Sequence, residues 1–298
     1  MKLIDSHCHV HFRAYDADMD NVIKQTLEAG VFMITVGTQK DTSRMGLEVA
    51  ERYEGVWATV GLHPNHLTKQ EFFDEMELSP LPDLSTEALA KVEGGSRGVG
   101  VPIKTREETF DMDVYRELAR HPKCVAIGET GLDFYRIPEG VDVEMVKEKQ
   151  RATVRAHFDL ATELSLPVSI HCRDAYAEQA ELIREYTQTG KLTRRGVIHC
   201  FTGTESEARA FIDLGFLISF SGIVTFGKNL QEVARALPLE KLLVETDAPY
   251  LTPAPDRGKR NEPWRVKYVA EKIAELKGIS VEEVARVTTE NAKALFRL

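Results

Sequence analysis

The stretch Leu3-Ile4-Asp5-Ser6-His7-Cys8-His9 opens the chain with a short apolar run that ends in a His-Cys-His motif. Residues i and i+2 of a strand share a face, so His7 and His9 would project together from one strand end. Short apolar runs recur along the chain, at residues 3–4, 31–36, 56–62, 125–128, 166–170, 196–198, 216–220 and 242–244. Most are continuous rather than alternating, which is typical of strands buried on both faces.

Amphipathic stretches follow most of these runs. They predict helices near residues 20–29, 144–164, 175–186, 206–214, 230–237 and 266–277, and Ser280 begins a capping box that opens a last helix ending at Phe296. Eightfold repetition of strand and helix predicts an α/β protein with a TIM-type (β/α)8 barrel rather than an open sheet. We therefore expect residues 1–298 to form a single barrel domain.

Residues 66–121 interrupt this rhythm, because no clear strand–helix unit is visible there. The stretch 69–90 is acidic, and 94–100 is rich in glycine. We interpret 66–121 as an extended region between the third strand and the third helix, an insertion within the barrel. It would be either a lid over the barrel or a solvated excursion without a role in chemistry, and glycine-rich composition favours a loop.

Charge and cysteine content exclude several classes of protein. The chain has 38 Lys and Arg against 47 Asp and Glu, a net charge of −9, which excludes a generally basic protein that coats nucleic acid. Any contact with nucleic acid must rest on a local basic patch or on bound cations. Four cysteines are too few for a disulfide scaffold. No apolar run approaches the roughly 20 residues of a membrane helix, so we expect a cytoplasmic protein without membrane association.

Histidines and carboxylates fall at the carboxyl ends of the predicted strands. They are His7, His9, His63, Glu129, His171, His199 and Asp247. In a barrel these ends surround one opening, where enzymes of this fold keep their active sites. Imidazoles and carboxylates suit divalent transition metals, and the set exceeds the three protein ligands usual for one catalytic zinc. We therefore predict two ions, bridged by a carboxylate such as Glu129, in the arrangement that hydrolyses phosphoesters.

Three arginines are candidates for binding substrate phosphate. Arg173 lies two residues after His171, and Arg257 and Arg260 lie in the Pro- and Gly-rich loop after the last strand. The planar guanidinium group matches the geometry of a phosphate.

The remaining histidines and the cysteines are expected to be structural. Cys8, Cys172 and Cys200 each adjoin a candidate ligand, and the alternation of a strand would turn them to the opposite face as small buried side chains. His66, His121 and His157 are expected to have structural roles.

The ordered motifs resemble those of the TatD family of metal-dependent hydrolases, within the wider amidohydrolase-like barrels. They are Ile4-Asp5-Ser6-His7-Cys8-His9, Gly61-Leu62-His63-Pro64, Ile127-Gly128-Glu129-Thr130-Gly131-Leu132-Asp133, Ile170-His171-Cys172-Arg173, His199-Cys200-Phe201-Thr202-Gly203, Glu245-Thr246-Asp247-Ala248-Pro249-Tyr250 and Arg257-Gly258-Lys259-Arg260-Asn261-Glu262-Pro263. Each motif alone is weak, but the ordered set spans nearly the whole chain.

The resemblance implies a TIM-type barrel with divalent-metal-dependent DNase activity, often exonucleolytic. It implies that one metal lies among His7, His9, Glu129 and Asp247, and the other among Glu129, His171 and His199. Asp247 and Glu129 would be catalytic, with Asp247 orienting or deprotonating the attacking water. His63 and Arg173 would face the substrate phosphate. The stretch between His63 and Glu129 is longer than in compact members, which bears on the shape of the substrate groove.

Three functions fit these observations. The first is a two-metal phosphodiesterase using Zn, Mn or Mg, with DNA ends or short oligonucleotides as substrate and no obligate protein partner. The second is a bimetal hydrolase of a small ester, amide or lactone, which the net charge of −9 slightly favours. The third is a metal-stabilised binding or scaffold protein, against which the convergent carboxylates argue.

Overall fold

Eight parallel strands form a nearly closed barrel at the centre of the computed structural model, which describes residues 2–68, 71–72, 103–104 and 107–298. Along the chain the strands pair in sequence order. They are β1 (Leu3–Cys8), β2 (Val31–Val36), β3 (Val56–Val60), β4 (Cys124–Asp133), β5 (Val168–Arg173), β6 (Gly196–Ile198), β7 (Leu217–Phe220) and β8 (Leu242–Val244). Each apolar run of the sequence contains or overlaps one strand, so the predicted TIM-type barrel is confirmed.

Helices alternate with the strands and cover the outside of the barrel. They are α1 (Met19–Glu28), α2 (Lys40–Arg52), α3 (Met112–Ala119), α4 (Val143–Leu164), α5 (Tyr176–Gln188), α6 (Glu205–Asp213), α7 (Lys228–Ala236), α8 (Val266–Lys277) and α9 (Val281–Phe296). Short 3-10 helices lie at Arg13–Tyr15, Pro64–His66, Gly222–Thr225, Leu239–Lys241 and Pro263–Arg265. Ser280 caps α9 by accepting a hydrogen bond from the backbone N of Glu283, as its capping box predicts. In the described part of the chain, no helix is long and apolar enough to cross a membrane.

Two helices, α2 and α3, were not predicted from the sequence. The buried face of α2 includes Thr42, Ser43 and Gly46, so small residues occupy positions where large apolar side chains would mark a helix. The helix α3 has only eight residues, of which Tyr115 and Ala119 are buried.

The helix α3 also corrects part of the interpretation of residues 66–121. It packs on β3 and β4 and is therefore the crossover helix that joins those strands, not part of an insertion. The other described residues between 66 and 121 include two short strands, Glu71–Phe72 and Ile103–Lys104, which pair antiparallel. Residues 69–70, 73–102 and 105–106 lie outside the described residues, so the predicted lid or excursion and the single-domain boundary of 1–298 stay predictions.

The seam between β8 and β1 is closed by hydrogen bonds at the carboxyl ends of the two strands. The backbone N of Asp247 donates to the carbonyl of His7 at 2.9 Å, and the backbone N of His9 donates to the carbonyl of Ala248 at 2.7 Å. These bonds hold the carboxyl ends of the first and last strands side by side. Three candidate ligands, far apart in sequence, are thereby brought to one place.

A buried carboxylate reinforces the same seam. Asp5 accepts hydrogen bonds from the backbone N of Thr246 at 2.9 Å and from the Thr246 hydroxyl at 2.5 Å. Burial raises the pKa of the Asp5 carboxyl well above its usual value, although these hydrogen bonds lower it. A paired buried acid of this kind specifies which strands meet at the seam.

Apolar side chains fill the barrel interior at the end opposite the candidate ligands. Ile4, Ile34, Val197 and Leu243 come from four different strands and cluster with Phe296 of α9. Side chains from strands around a barrel meet only in its interior, so α9 covers this end. The larger apolar layer lies between the strands and the outer helices.

Gly131 marks the close approach of β4 to β5, and its replacement tests that packing. Its φ is +152°, and a Cβ there would lie 1.8 Å from the carbonyl oxygen of His171. We expect Gly131→Ala to lower the free energy of unfolding by about 3 kcal/mol, because strand backbone must shift. Urea unfolding measures this change.

Gly140→Ala is the matched control for that substitution. Gly140 also has a positive φ, +78°, but an added Cβ meets no atom within 4 Å. Only the backbone strain remains, which costs about 1 kcal/mol. Equal losses in the two variants would contradict the role assigned to the close approach.

Candidate metal centre

A cavity of about 340 Å³ opens at the carboxyl ends of the barrel strands. Among the residues predicted from the sequence, its lining includes His9, His63, Glu129, His171, Arg173, His199 and Asp247. His7 is fully buried immediately behind this lining. The structure thus brings together every predicted metal ligand, and it leaves Arg257 and Arg260 outside the lining.

One oxygen of Glu129 faces the ligands contributed by the first and last strands. Its Oε2 lies 3.4 Å from Nε2 of His7 and 3.9 Å from Nε2 of His9. The two imidazole nitrogens are 3.3 Å apart. Oδ1 of Asp247 completes the group, 3.4 Å from Nε2 of His9 and 3.8 Å from Nε2 of His7.

The other oxygen of Glu129 faces a second group of imidazoles. Oε1 lies 3.2 Å from Nδ1 of His171, 2.8 Å from Nε2 of His199 and 3.3 Å from Nε2 of His63. Nε2 of His199 is buried and is not aligned for a hydrogen bond with that oxygen. The carboxylate of Glu129 therefore lies between two clusters of nitrogen atoms.

These separations fit ligand atoms arranged around metal ions. Ligands at zinc-like bond lengths and tetrahedral angles lie about 3.3 Å from one another. Three overlapping groups have ligand atoms within 4.8 Å of one another, namely His7, Glu129 and His199; His7, His9 and Asp247; and His63, Glu129 and His171. The donor set of imidazoles and carboxylates suits divalent transition metals.

Outer hydrogen bonds orient two of the imidazoles. Nδ1 of His9 donates to the carbonyl of Val36 at 2.7 Å, which leaves Nε2 as the nitrogen with a lone pair. Nε2 of His171 donates to Oδ2 of Asp133 at 3.1 Å, which leaves Nδ1 directed at Glu129. In both residues the nitrogen that faces the cluster is the one able to bind a metal.

His63 has the opposite tautomer. Its Nδ1 accepts a hydrogen bond from the backbone N of Asn65 at 3.1 Å, so the hydrogen of the neutral ring is on Nε2. Burial lowers the pKa of His63 to about 4, which keeps the ring neutral. His63 therefore presents a hydrogen-bond donor to the cavity, which distinguishes it from His9 and His171.

Electrostatics couple Glu129 to the surrounding imidazoles. Only 3% of Glu129 is exposed, and burial alone would raise its pKa, but the nearby His199, His63 and His7 hold that pKa well below its usual value. Burial alone would lower the pKa of His199, but Glu129 raises it well above the usual value. The centre thus attracts positive charge, which protons supply unless a cation replaces them.

The backbone is strained where strands β5, β6 and β8 deliver these side chains. Asp174, Cys200 and Asp247 have φ values of +55°, +43° and +56°. Such conformations cost of order 1 kcal/mol or more for residues other than glycine, and they persist where the surrounding structure enforces them. Cys200 directly follows the candidate ligand His199, and Asp247 is itself a candidate ligand, so part of this strain lies at the centre.

The three predicted phosphate-binding arginines have different environments. Arg173 lines the cavity. Arg257 packs its guanidinium 4.0 Å from the ring centre of Phe226, outside the lining. Arg260 is held by Asp18 through two hydrogen bonds of 2.8 and 2.7 Å, so the expectation that it faces substrate is not supported. This ion pair holds the guanidinium of Arg260 against Asp18, the residue that precedes α1.

The cysteines fall partly as expected. Cys8 and Cys172 are buried, whereas Cys200 is partly exposed and, with Cys172, lines the cavity. The expectation that all three are buried between barrel and helices is therefore wrong for Cys200, whose positive φ breaks the alternation of the strand, and Cys172, although buried, also borders the cavity. Burial raises the pKa of these three thiols well above the usual value.

Sequence reasoning missed Asp133 and Arg136. Asp133 bonds to His171, and Arg136 lines the cavity. Asp133 is four residues after Glu129 in β4, and side chains an even number of residues apart in a strand share a face. This spacing could have identified Asp133 from the sequence. By contrast, His157 lies outside the lining, where it accepts a hydrogen bond from the backbone N of Leu62 at 3.0 Å, as a structural histidine does.

A (β/α)8 barrel with a histidine and carboxylate centre at the carboxyl ends of its strands defines the class of metal-dependent hydrolases. The family model described as TatD related DNase matches residues 4–297. The chain is 37% identical to the "Uncharacterized metal-dependent hydrolase YabD" of Bacillus subtilis over 99% of each protein. It is 34% identical to the "3'-5' ssDNA/RNA exonuclease TatD" of Citrobacter koseri, over 94% of this chain and 93% of that protein.

Solved structures agree with these sequence comparisons. The TatD homologue YJJV from Escherichia coli matches with a TM-score of 0.76 at 26% identity, covering 99% of this chain and 98% of the other. The chain belongs to the TatD family of metal-dependent hydrolases, as the resemblance of its motifs indicates.

Asp133→Asn tests whether the outer hydrogen bond to His171 supports metal binding. We expect the affinity for Zn or Mn, measured by titration calorimetry, to fall about 10- to 100-fold, as is usual when an outer partner is lost. Asp213→Asn, at an exposed position on α6, is the control and should bind metal as the wild type does. Equal affinity in both variants would show that Asp133 does not support the centre.

Proposed function

We propose that this chain is a two-metal phosphodiester hydrolase that acts on DNA ends or short single strands, as an exonuclease. The observation that carries the proposal is the position of Glu129, whose two oxygens face separate groups of ligands. A carboxylate between two ligand groups suits a pair of ions that together stabilise an in-line phosphoryl displacement. The name of the Citrobacter koseri relative supports a nucleic-acid substrate.

In this proposal His7, His9, Glu129 and Asp247 hold one divalent ion. Glu129, His171 and His199 hold the second, and Zn, Mn or Mg are candidate ions. When bound, two such ions lower the pKa of water and neutralise charge on a phosphoryl oxygen. The tautomers of His9 and His171 support their assignment as ligands, since each directs a lone pair at the cluster.

The side chains of the cavity would position the substrate and move the proton. His63 donates a hydrogen bond from Nε2 to a phosphate oxygen, and Arg173 binds the same phosphate. The carboxylate of Asp247 orients the attacking water and accepts its proton. The new P–O bond forms as the bond to the leaving oxygen breaks, and that oxygen takes a proton from solvent.

The charge distribution supports a short substrate contact. The net charge is −9, whereas Arg136 and Arg173 both line the cavity. Among the described residues, Arg173 has no carboxylate partner, so its guanidinium is available to an anion. We propose a cytoplasmic location, with which the four free cysteines agree.

Glu129→Ala and His171→Ala test the assignment of the metal centre. We expect both purified variants to lose nuclease activity on single-stranded DNA by at least about 100-fold with Mg, Mn or Zn, because each loses a ligand. Release of nucleotides from a labelled oligonucleotide measures the activity. Glu48→Ala, at an exposed position on α2, is the control.

Two outcomes of this assay would contradict the proposed function or its metal ligands. Unchanged activity in both variants would contradict the ligand assignment. Turnover of a small ester, amide or lactone by the wild type, without turnover of any phosphodiester, would favour the second function predicted from the sequence.

Arg173→Met and Arg260→Met form a matched pair for phosphate binding. Loss of one phosphate contact to a single strand reduces the slope of log K against log salt by about 0.7. We expect this change for Arg173→Met and no change in slope for Arg260→Met, since Asp18 holds that guanidinium. Fluorescence anisotropy across a salt series measures both slopes, and a reversed pattern would restore Arg260 as the phosphate ligand.

A further inference from the structure

Tyr135 is the most exposed large apolar side chain in the described part of the chain, with 61% of its surface accessible. It lies in the connection between β4 and α4, at the end of the barrel that carries the cavity. Its neighbour Arg136 lines that cavity. An exposed aromatic ring beside a candidate active site is available to a planar ligand.

The backbone of Tyr135 is tied directly to the candidate metal centre. Oδ1 of Asp133 accepts hydrogen bonds from the backbone N of Tyr135 at 3.0 Å and from that of Arg136 at 2.8 Å. Oδ2 of the same carboxylate accepts a hydrogen bond from Nε2 of His171 at 3.1 Å. One carboxylate therefore sets the position of Tyr135 relative to a candidate ligand.

Arg173 joins the ring to the cavity. Its guanidinium carbon lies 3.8 Å from the ring centre of Tyr135, in a cation–π contact. Arg173 also lines the cavity in which the proposal places the phosphate. The ring thus has one face against a phosphate-binding group, and its high exposure leaves other ring surface open to solvent.

We propose that Tyr135 is a stacking platform for an unpaired base next to the phosphate bound by Arg173. The inference rests on the proposed function, since it specifies how the same cavity selects its substrate. Aromatic side chains bind single strands by stacking on bases, whatever the sequence. A base inside a duplex has both faces covered by its neighbours, so the platform favours frayed ends and single strands over paired ends.

Binding of a fluorescent single-stranded oligonucleotide in the presence of a chelator tests the platform without turnover. We expect Tyr135→Leu, which keeps apolar contact but loses the planar ring, to weaken binding about tenfold. Tyr135→Phe should bind as the wild type does. The control is Tyr53→Leu, because Tyr53 also lies against an arginine, with Arg52 at 5.4 Å, but precedes β3 at the opposite end of the barrel.

A second measurement separates stacking from a general loss of structure. In the metal-loaded enzyme, an abasic position next to the cleaved phosphate should raise the KM of the wild type by the same factor as Tyr135→Leu does on the intact strand. Combining the two changes should add nothing further, because both remove the same contact. Additive effects, or wild-type binding of the intact strand by Tyr135→Leu, would overturn the platform.

The two proposals fail in different ways. If the wild type leaves every oligonucleotide uncleaved, the proposed function itself is wrong. If the wild type cleaves oligonucleotides and Tyr135→Leu matches it on intact and abasic strands, only the stacking platform is wrong.

Discussion

The buried carboxylate of Glu129, surrounded by imidazole nitrogens, is the interaction on which the site depends. Moving an ionised carboxylate away from water is costly unless positive charge and hydrogen bonds compensate for it. Here the compensating groups come from β1, β5 and the residues after β3 and β6, so they approach from around the barrel. The net charge of −9 means that the rest of the chain adds no general positive field. The charge of the Glu129 carboxylate is therefore compensated locally, by protons on the surrounding imidazole rings or by bound cations.

The barrel holds these imidazoles and carboxylates in fixed positions close to one another. The bonds across the seam hold β1 and β8 together at the end where His7, His9 and Asp247 project. Hydrogen bonds donated to the carbonyl of Val36 and the carboxylate of Asp133 then select the tautomers of His9 and His171. Ligands held by strands and by outer partners need little reorganisation when a cation binds, which favours affinity and defined geometry.

Strand positions and most site residues could be predicted because each rests on a local pattern. Continuous apolar runs mark strands buried on both faces, and a polar residue directly after such a run lies at the mouth of a parallel barrel. Other features depend on neighbours that are distant in sequence. Helix α2 buries several small residues, so few large apolar side chains mark it, and the ion pair of Arg260 with Asp18 is invisible from the loop alone. Cys200 reaches the cavity because its backbone leaves the strand conformation.

The sequence by itself determined the fold class, the family and the chemical nature of the centre. Apolar periodicity and the types of residue at the strand ends are properties that no distant contact alters. Only the tertiary structure decided the roles of the individual site residues. It showed which oxygen of Glu129 faces which imidazoles, and that His63 presents a donor while His9 and His171 present lone pairs. It also showed that Arg173 faces the cavity while Arg260 does not. These roles depend on hydrogen-bond partners and orientations, which arise when strands far apart in sequence are brought within a few ångströms of one another.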